Sequence, residues 1–245
     1  MADPAVEFQS VSFRYGCGEP VLRETSFALS DDRRIALIGH NGSGKTTLFH
    51  ILMGLLSPDS GSLRVFGRTV RSEDDFFFVR ERVGYLFQNS DDQLFCPTVR
   101  EDVAFGPLNL GKSPGEALRI VRETLSLLGM EHFENRVSYR LSHGEKKLVA
   151  LATVLAMGPR LLLLDEPTAG LDRDTTERIA QVLLGLGLPA IIASHDFDFL
   201  ARVTGETWIL ADGRLVAAEE DVLHAHAHAH RAGGRPHHHS DLEEG

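Results

Sequence analysis

The sequence predicts an α/β layered fold carrying an antiparallel β subdomain and a helical subdomain, on three observations. Three short runs, IALIG (35–39), LLLLD (161–165) and AIIAS (190–194), are apolar without interruption, which suits strands covered on both faces of a parallel sheet. Each gives way to helical or loop sequence, as a layered α/β core requires. The N-terminal stretch alternates apolar and polar residues while the middle of the chain carries helix signals, so two different elements flank that core.

In chain order, residues 6–30 place Val11, Phe13 and Tyr15 on one side of an alternating pattern, the mark of half-exposed antiparallel strands. After the first apolar strand comes LFHILMGLL (48–56), an apolar helix. Residues from about 88 to 140 are read as the helical subdomain. Within it SPGEALRIVRETLSLLG (113–129) offers a Ser cap, Pro at the first position, Glu at the third and Gly at the end. The longest apolar run, LVALATVLAM (148–157), falls short of the about 18 residues that span a bilayer. Near the end, WILADGRLVAAEE carries an Asp212-Gly213 hairpin turn. After Glu220 the composition collapses into His, Ala, Gly and Pro, from which no core can be built. Residues 1–222 therefore read as one domain and 223–245 as a His-rich tail.

At 245 residues with 42% hydrophobic content the chain can bury a full core. A net charge of -10 argues against nucleic acid as a partner, since phosphate-tracking surfaces are basic. Cys17 and Cys96 stand far apart and read as packing thiols of a reduced, intracellular protein. The opening MADPAVEFQS has neither a basic nor an apolar leader region, so the chain is expected neither to enter nor to cross a membrane by itself.

The chemistry is concentrated in two places. GHNGSGKTT, made of Gly39, His40, Asn41, Gly42, Ser43, Gly44, Lys45, Thr46 and Thr47, follows one strand and opens one helix. This is the phosphate-loop pattern of a P-loop NTPase: backbone N–H groups wrap an anion at a helix N-terminus. Lys45 would reach the β- and γ-phosphates of ATP, and the Thr46 hydroxyl would ligate Mg2+. LLLLDEP sets Asp165 and Glu166 at the carboxyl end of a buried strand, where ligands of open α/β sheets collect. Asp165 is placed to hold the Mg2+ shell and Glu166 to polarise an attacking water.

Together with LSHGEKKLVALA from Leu141, AGLD ending at Asp172, ASHD carrying His195, and Gln88 closing the strand VGYLFQ, these motifs resemble, in order and spacing, the ATP-binding subunit of ABC transporters. The resemblance covers about residues 6–220. It implies an ABC ATPase, a translocase whose ATP hydrolysis drives transport. It implies that Tyr15 stacks on adenine and that Gln88 senses γ-phosphate and Mg2+. Glu166 becomes the catalytic base and His195 the histidine that steadies γ-phosphate and water. The signature reads LSHGE where LSGGQ is commonest; Ser142 and Gly144 remain to meet a γ-phosphate, while His143 replaces a glycine. In the family one subunit's signature completes the other's ATP site, so a head-to-tail dimer with a second copy or a paralogue is expected.

NSDDQLFCPTVREDVAFGPLNLG (89–111) resembles the same segment in energy-coupling-factor (ECF) importers of cobalt and nickel. That likeness implies an integral-membrane transmembrane component, a substrate-binding membrane protein, and a peripheral seat at the cytoplasmic face of the cell membrane. Leu94, Phe95, Val103 and Phe105 are the expected apolar anchors for a helix of the membrane subunit. An ECF vitamin importer and a soluble, non-transport ABC ATPase are the alternatives; a metal-storage protein would leave the ATP motifs unexplained.

His224, His226, His228 and His230 alternate with alanine, and His237, His238 and His239 follow. Such tails are also met as solvated, purely compositional extensions. Beside the cobalt and nickel likeness, they read as contacts for a borderline transition metal, which imidazole suits.

Overall fold

The structure is a computed structural model and describes residues 4–218. The seven tail histidines, His224 through His239, lie outside the described residues.

The elements run β1 (Val6–Arg14), β2 (Pro20–Leu29), β3 (Arg34–Ile38), α1 (Lys45–Leu52), β4 (Ser60–Val65), β5 (Arg68–Val70), α2 (Glu73–Arg80) and β6 (Val83–Leu86). There follow α3 (Val99–Asn109), α4 (Pro114–Leu127), α5 (His143–Ala156), β7 (Leu161–Asp165), α6 (Arg173–Leu186), β8 (Ala190–Ala193), α7 (Phe197–Val203), β9 (Glu206–Ala211) and β10 (Arg214–Ala217). One sheet has the order β2-β1-β4-β5 and is antiparallel; the other runs β10-β9-β3-β8-β7-β6. In the second sheet only the β10–β9 pairing is antiparallel.

The uninterrupted apolar runs follow from this sandwich. Leu161 and Leu163 of β7 enter a core shared with α1 and the antiparallel sheet, while Leu162 and Leu164 enter one shared with α3 to α7. A strand with a core on each side has no polar face to show. β1 alternates, but with a break. Val6 and Phe8 are buried, then Ser10 takes φ 48 where the pairing slips, and Val11 and Phe13 are buried in their turn. The bulge moves the buried face by one residue. Tyr15, past the end of the strand, is 52% exposed rather than continuing the buried side.

α4 begins with the expected cap: the Ser113 hydroxyl accepts from Glu116 N, and the Glu116 carboxylate accepts from Ser113 N at 2.9 Å. α3 and α4 pack on α5, and Val99, Val103, Val121 and Leu125 join Leu148 to Leu151 in one continuous core. At the opposite end Asp212 (φ 51) and Gly213 (φ 74) turn β9 into β10 as a primed hairpin. The Gly213 carbonyl accepts from Arg23 N at 2.7 Å and from Thr25 Oγ1 at 2.9 Å, which fastens the last hairpin to β2.

Three expectations are corrected. The strand before Gln88 ends at Leu86, because the Phe87 N–H donates to the Gln93 side chain instead of to a strand. Val103 is no surface anchor: Val99, Val103 and Pro107 recur on the buried face of α3, and Leu94 packs against the same core. Phe95 and Phe105 remain outside, 65% and 46% exposed, in an edge-to-face pair 4.8 Å apart. Cys17 is exposed rather than packed, since it sits in the turn between β1 and β2.

Candidate active site

The phosphate loop leaves β3 and ends at Gly44, whose φ of 106 places the left-handed cap of α1. A Cβ there would lie 2.8 Å from the Val21 side chain, so only glycine lets loop and β2 approach. Beyond the loop lies a chamber of about 490 Å³. Asn41, Gly42, Gly44, Lys45, Thr46 and Thr47 line it, with Tyr15, Gln88, Asp165, Glu166 and His195 from four other segments. Gly39, His40 and Ser43 complete the loop without forming the chamber wall. Residues up to 180 positions apart in the chain are thus brought to one place by the carboxyl ends of β3, β7 and β8.

Most of these side chains have defined contacts. Lys45, 8% exposed, donates to the carbonyls of Gly39 at 2.7 Å and His40 at 3.2 Å. Burial pulls its pKa below the ordinary value, and Glu166 and Asp165 oppose that shift. Thr46 Oγ1 donates to Asp165 Oδ2 at 2.7 Å. Burial raises the pKa of Asp165, against the Thr46 hydrogen bond and the charge of Lys45. Glu166, in a positive-φ conformation at 50°, turns away from Asp165 toward the end of β8. Its Oε2 accepts weakly from Ser194 Oγ and His195 N, each at 3.4 Å. Its Oε1 is buried with no hydrogen bond. The nearest imidazole nitrogen, His195 Nε2, stands 3.5 Å away and instead pairs with Asn41 Oδ1 at 3.0 Å. A strained backbone and an unpartnered carboxylate oxygen belong at sites that act on something. Tyr15 rests its hydroxyl 3.1 Å from Thr47 Oγ1, with its ring half exposed.

The residues fit the groups the motifs imply. The Ser43 hydroxyl is buried without a partner, a spare donor in an anion-binding loop. Thr46, Asp165 and Gln88 present hydroxyl, carboxylate and amide oxygen, the hard donors magnesium takes. Among the described residues no group of three or more His, Cys, Asp and Glu could hold a metal ion.

Ser142 and Gly144 do not join this chamber. They open α5, where the Ser142 hydroxyl accepts from Glu145 N at 3.3 Å and Glu145 Oε2 accepts from Ser142 N at 2.7 Å. His143, the departure from the common signature, sets Nε2 3.3 Å from the Ala169 carbonyl.

Sequence reasoning missed two groups. His50 of α1 lies close enough to Asp165 for the two charges to interact, and burial lowers its pKa. Lys147 is fully buried on α5; its one signal was a charge abutting the apolar run 148–157.

A second cavity, of about 410 Å³, opens beside Phe95 and Phe105 and is lined by Met53, Leu55, Tyr85 and Phe87. Asp102 shapes its rim: Oδ1 accepts from Phe95 N at 3.0 Å and Cys96 N at 2.8 Å, and Oδ2 accepts from Ser138 Oγ at 2.5 Å. Burial, chiefly, pushes the nearby Cys96 thiol up to about 11.

A family model described as ABC transporter matches residues 22–169. The chain is 49% identical over 238 residues to a putative ABC transporter ATP-binding protein of Nitratidesulfovibrio vulgaris, covering 97% of this chain and 87% of the relative. It is 44% identical over 216 residues to the energy-coupling factor transporter ATP-binding protein EcfA of Methanothermobacter thermautotrophicus, covering 86% of this chain and 70% of that one. Among solved structures, cbiO1 of Clostridium perfringens, described as part of the ABC transporter complex cbiONQ, superposes with a TM-score of 0.82 at 33% identity over 94% of each chain. The dimeric cassette MJ0796 in a post-hydrolysis state with ADP and Pi gives 0.80 at 27% identity, covering 88% of this chain and 98% of that one.

Proposed function

The chain belongs to the ABC transporter ATP-binding family and is an ABC ATPase, and on that premise we propose that it powers an ECF-type importer of a transition metal, cobalt or nickel. The observation that carries the catalytic part is the chamber that gathers Lys45, Thr46, Asp165, Glu166, His195 and Gln88. The likeness to EcfA and to cbiO1 supports the transport part.

In this reading the loop's N–H groups and Lys45 hold the triphosphate, and Tyr15 offers a ring face to adenine. Thr46, Asp165 and Gln88 would hold magnesium, which supplies positive charge against the charge developing on the phosphates. Glu166 accepts a proton from the attacking water at its unpartnered Oε1, and His195 holds water and γ-phosphate in line. The Thr46 hydrogen bond and the charge of Lys45 favour the ionised carboxylate of Asp165 and oppose the burial that raises its pKa. Ser142 and Gly144 complete the chamber of a second copy or a paralogue, which is why they stand apart in one chain. The Phe95–Phe105 cavity receives a helix of the transmembrane component, with the substrate-binding membrane protein beyond it, and the chain sits at the cytoplasmic face of the membrane. Among the described residues no helix is long and apolar enough to cross it.

The EcfA relatives carry no metal in their names, so a vitamin importer is the second reading. Uptake of radiolabelled cobalt and nickel by cells with and without the chain separates the two. Uptake that depends on the chain and on an intact Lys45 supports the metal reading; unchanged metal uptake sinks it.

A further inference from the structure

Lys147 is a cation without access to water, 0% exposed and among the largest fully buried side chains. A buried ammonium group persists only where other groups replace its hydration. Its Nζ donates to the Gln88 carbonyl at 2.6 Å and the Phe87 carbonyl at 3.3 Å. Asp165 and Glu166 act on it through space, partly offsetting the burial that lowers its pKa. Yet Lys147 does not line the chamber, and the proposed chemistry leaves it without a task.

Its surroundings supply one. The segment after β6 is fastened to α5 at three points. Lys146 pairs with Asp91 at 2.6 Å. The Gln93 amide donates to the Ala150 carbonyl at 3.0 Å and to Thr153 Oγ1 at 2.8 Å. Lys147 holds the end nearest the chamber, and it is the one of the three that carries a charge out of reach of solvent.

We propose that Lys147 is a positioning residue of the ATPase: it clamps the Gln88 main chain to α5, so that the chamber's glutamine and the helix opening at Ser142 move as one body. This rests on the reading of Gln88 and Ser142 as nucleotide-site residues. A displacement of the Phe95 rim then reaches Gln88 and Ser142 together, because both hang on the same helix.

The test compares the purified full chain with its Lys147→Met and Lys147→Gln variants. Methionine keeps the length and apolar packing but has no donor; glutamine keeps an uncharged donor. For Lys147→Met the thermal midpoint is expected to hold or rise, because an apolar isostere relieves a buried charge. Affinity for a fluorescent ATP analogue should stay within about threefold while kcat falls about tenfold. Amide hydrogen exchange over residues 87–93 should quicken, and Lys147→Gln should recover part of the lost kcat. Parental kcat in Lys147→Met, an equal loss of affinity and kcat, or failure of both variants to fold would each overturn the proposal. Hydrogen exchange needs no turnover. Unchanged exchange over 87–93 therefore overturns the clamp even in a chain whose hydrolysis contradicts the ATPase reading.

Discussion

In the chamber, the side chains expected to act on nucleotide already hold one another: Thr46 bonds Asp165, His195 bonds Asn41, and Tyr15 approaches Thr47. At the start of α5, Ser142 and Gly144 meet none of them, and the Ser142 hydroxyl is satisfied by its own helix cap. The first region is assembled by long-range folding within one chain. The second is a local device, a capped helix end closed by hydrogen bonds between Ser142 and Glu145. On the proposed reading, the first is half of a composite site and the second is the surface that completes the other half.

The largest effect should come from the first region. Glu166→Gln leaves nucleotide binding intact, traps a closed dimer on gel filtration with ATP, and lowers kcat by about a hundredfold or more. Hydrolysis at the parental rate would break the assignment of the proton acceptor. A mixing experiment addresses the second region. Lys45→Ala and Ser142→Ala, each alone, should lose about a hundredfold in rate, and Ser142→Ala should also lose about 1 kcal/mol with its cap. Mixed in equal amounts, they form dimers in which one composite site is intact, with recovery of about a quarter of parental rate if sites act independently. A mixture no faster than the two pure variants would show that both regions serve one chain.

The smallest effect concerns the bridge between the regions. Burial lowers the Lys147 pKa below the ordinary 10.5, so between the folded value and 10.5 the unfolded chain holds a proton that the folded chain has released. Stability therefore rises with pH in that window and is lost as pH falls through the folded value. The thermal midpoint of Lys147→Met minus that of the parent should be widest near neutrality and shrink as pH climbs toward 10.5. A constant difference would mean that the lysine enters no such equilibrium.

What could be read without coordinates was whatever lies in consecutive residues. The phosphate loop, the acidic end of β7, the Ser113 cap and the Asp212-Gly213 turn each state their geometry within a few positions. The inward side of α3 could not be read that way, because Val103 and Phe105 differ only in which side of a helix meets α5. The slip at Ser10 was hidden for a similar reason: an extra residue in one strand is visible only against its partner. Lys147 lay beyond a linear reading altogether, since its acceptors are main-chain carbonyls about 60 positions away.

The hairpin at Gly213 bears on how the protein is made. Its carbonyl holds Arg23 and Thr25 from the opposite end of the chain, 188 positions from Thr25. Synthesis proceeds from the N-terminus, so β1, β2 and Tyr15 leave the ribosome long before their anchor exists. A nascent chain that stops short of residue 213 already owns its phosphate loop but lacks the acceptor that fastens β2. The phosphate loop is thus made before the strand packed against Gly44 is fastened.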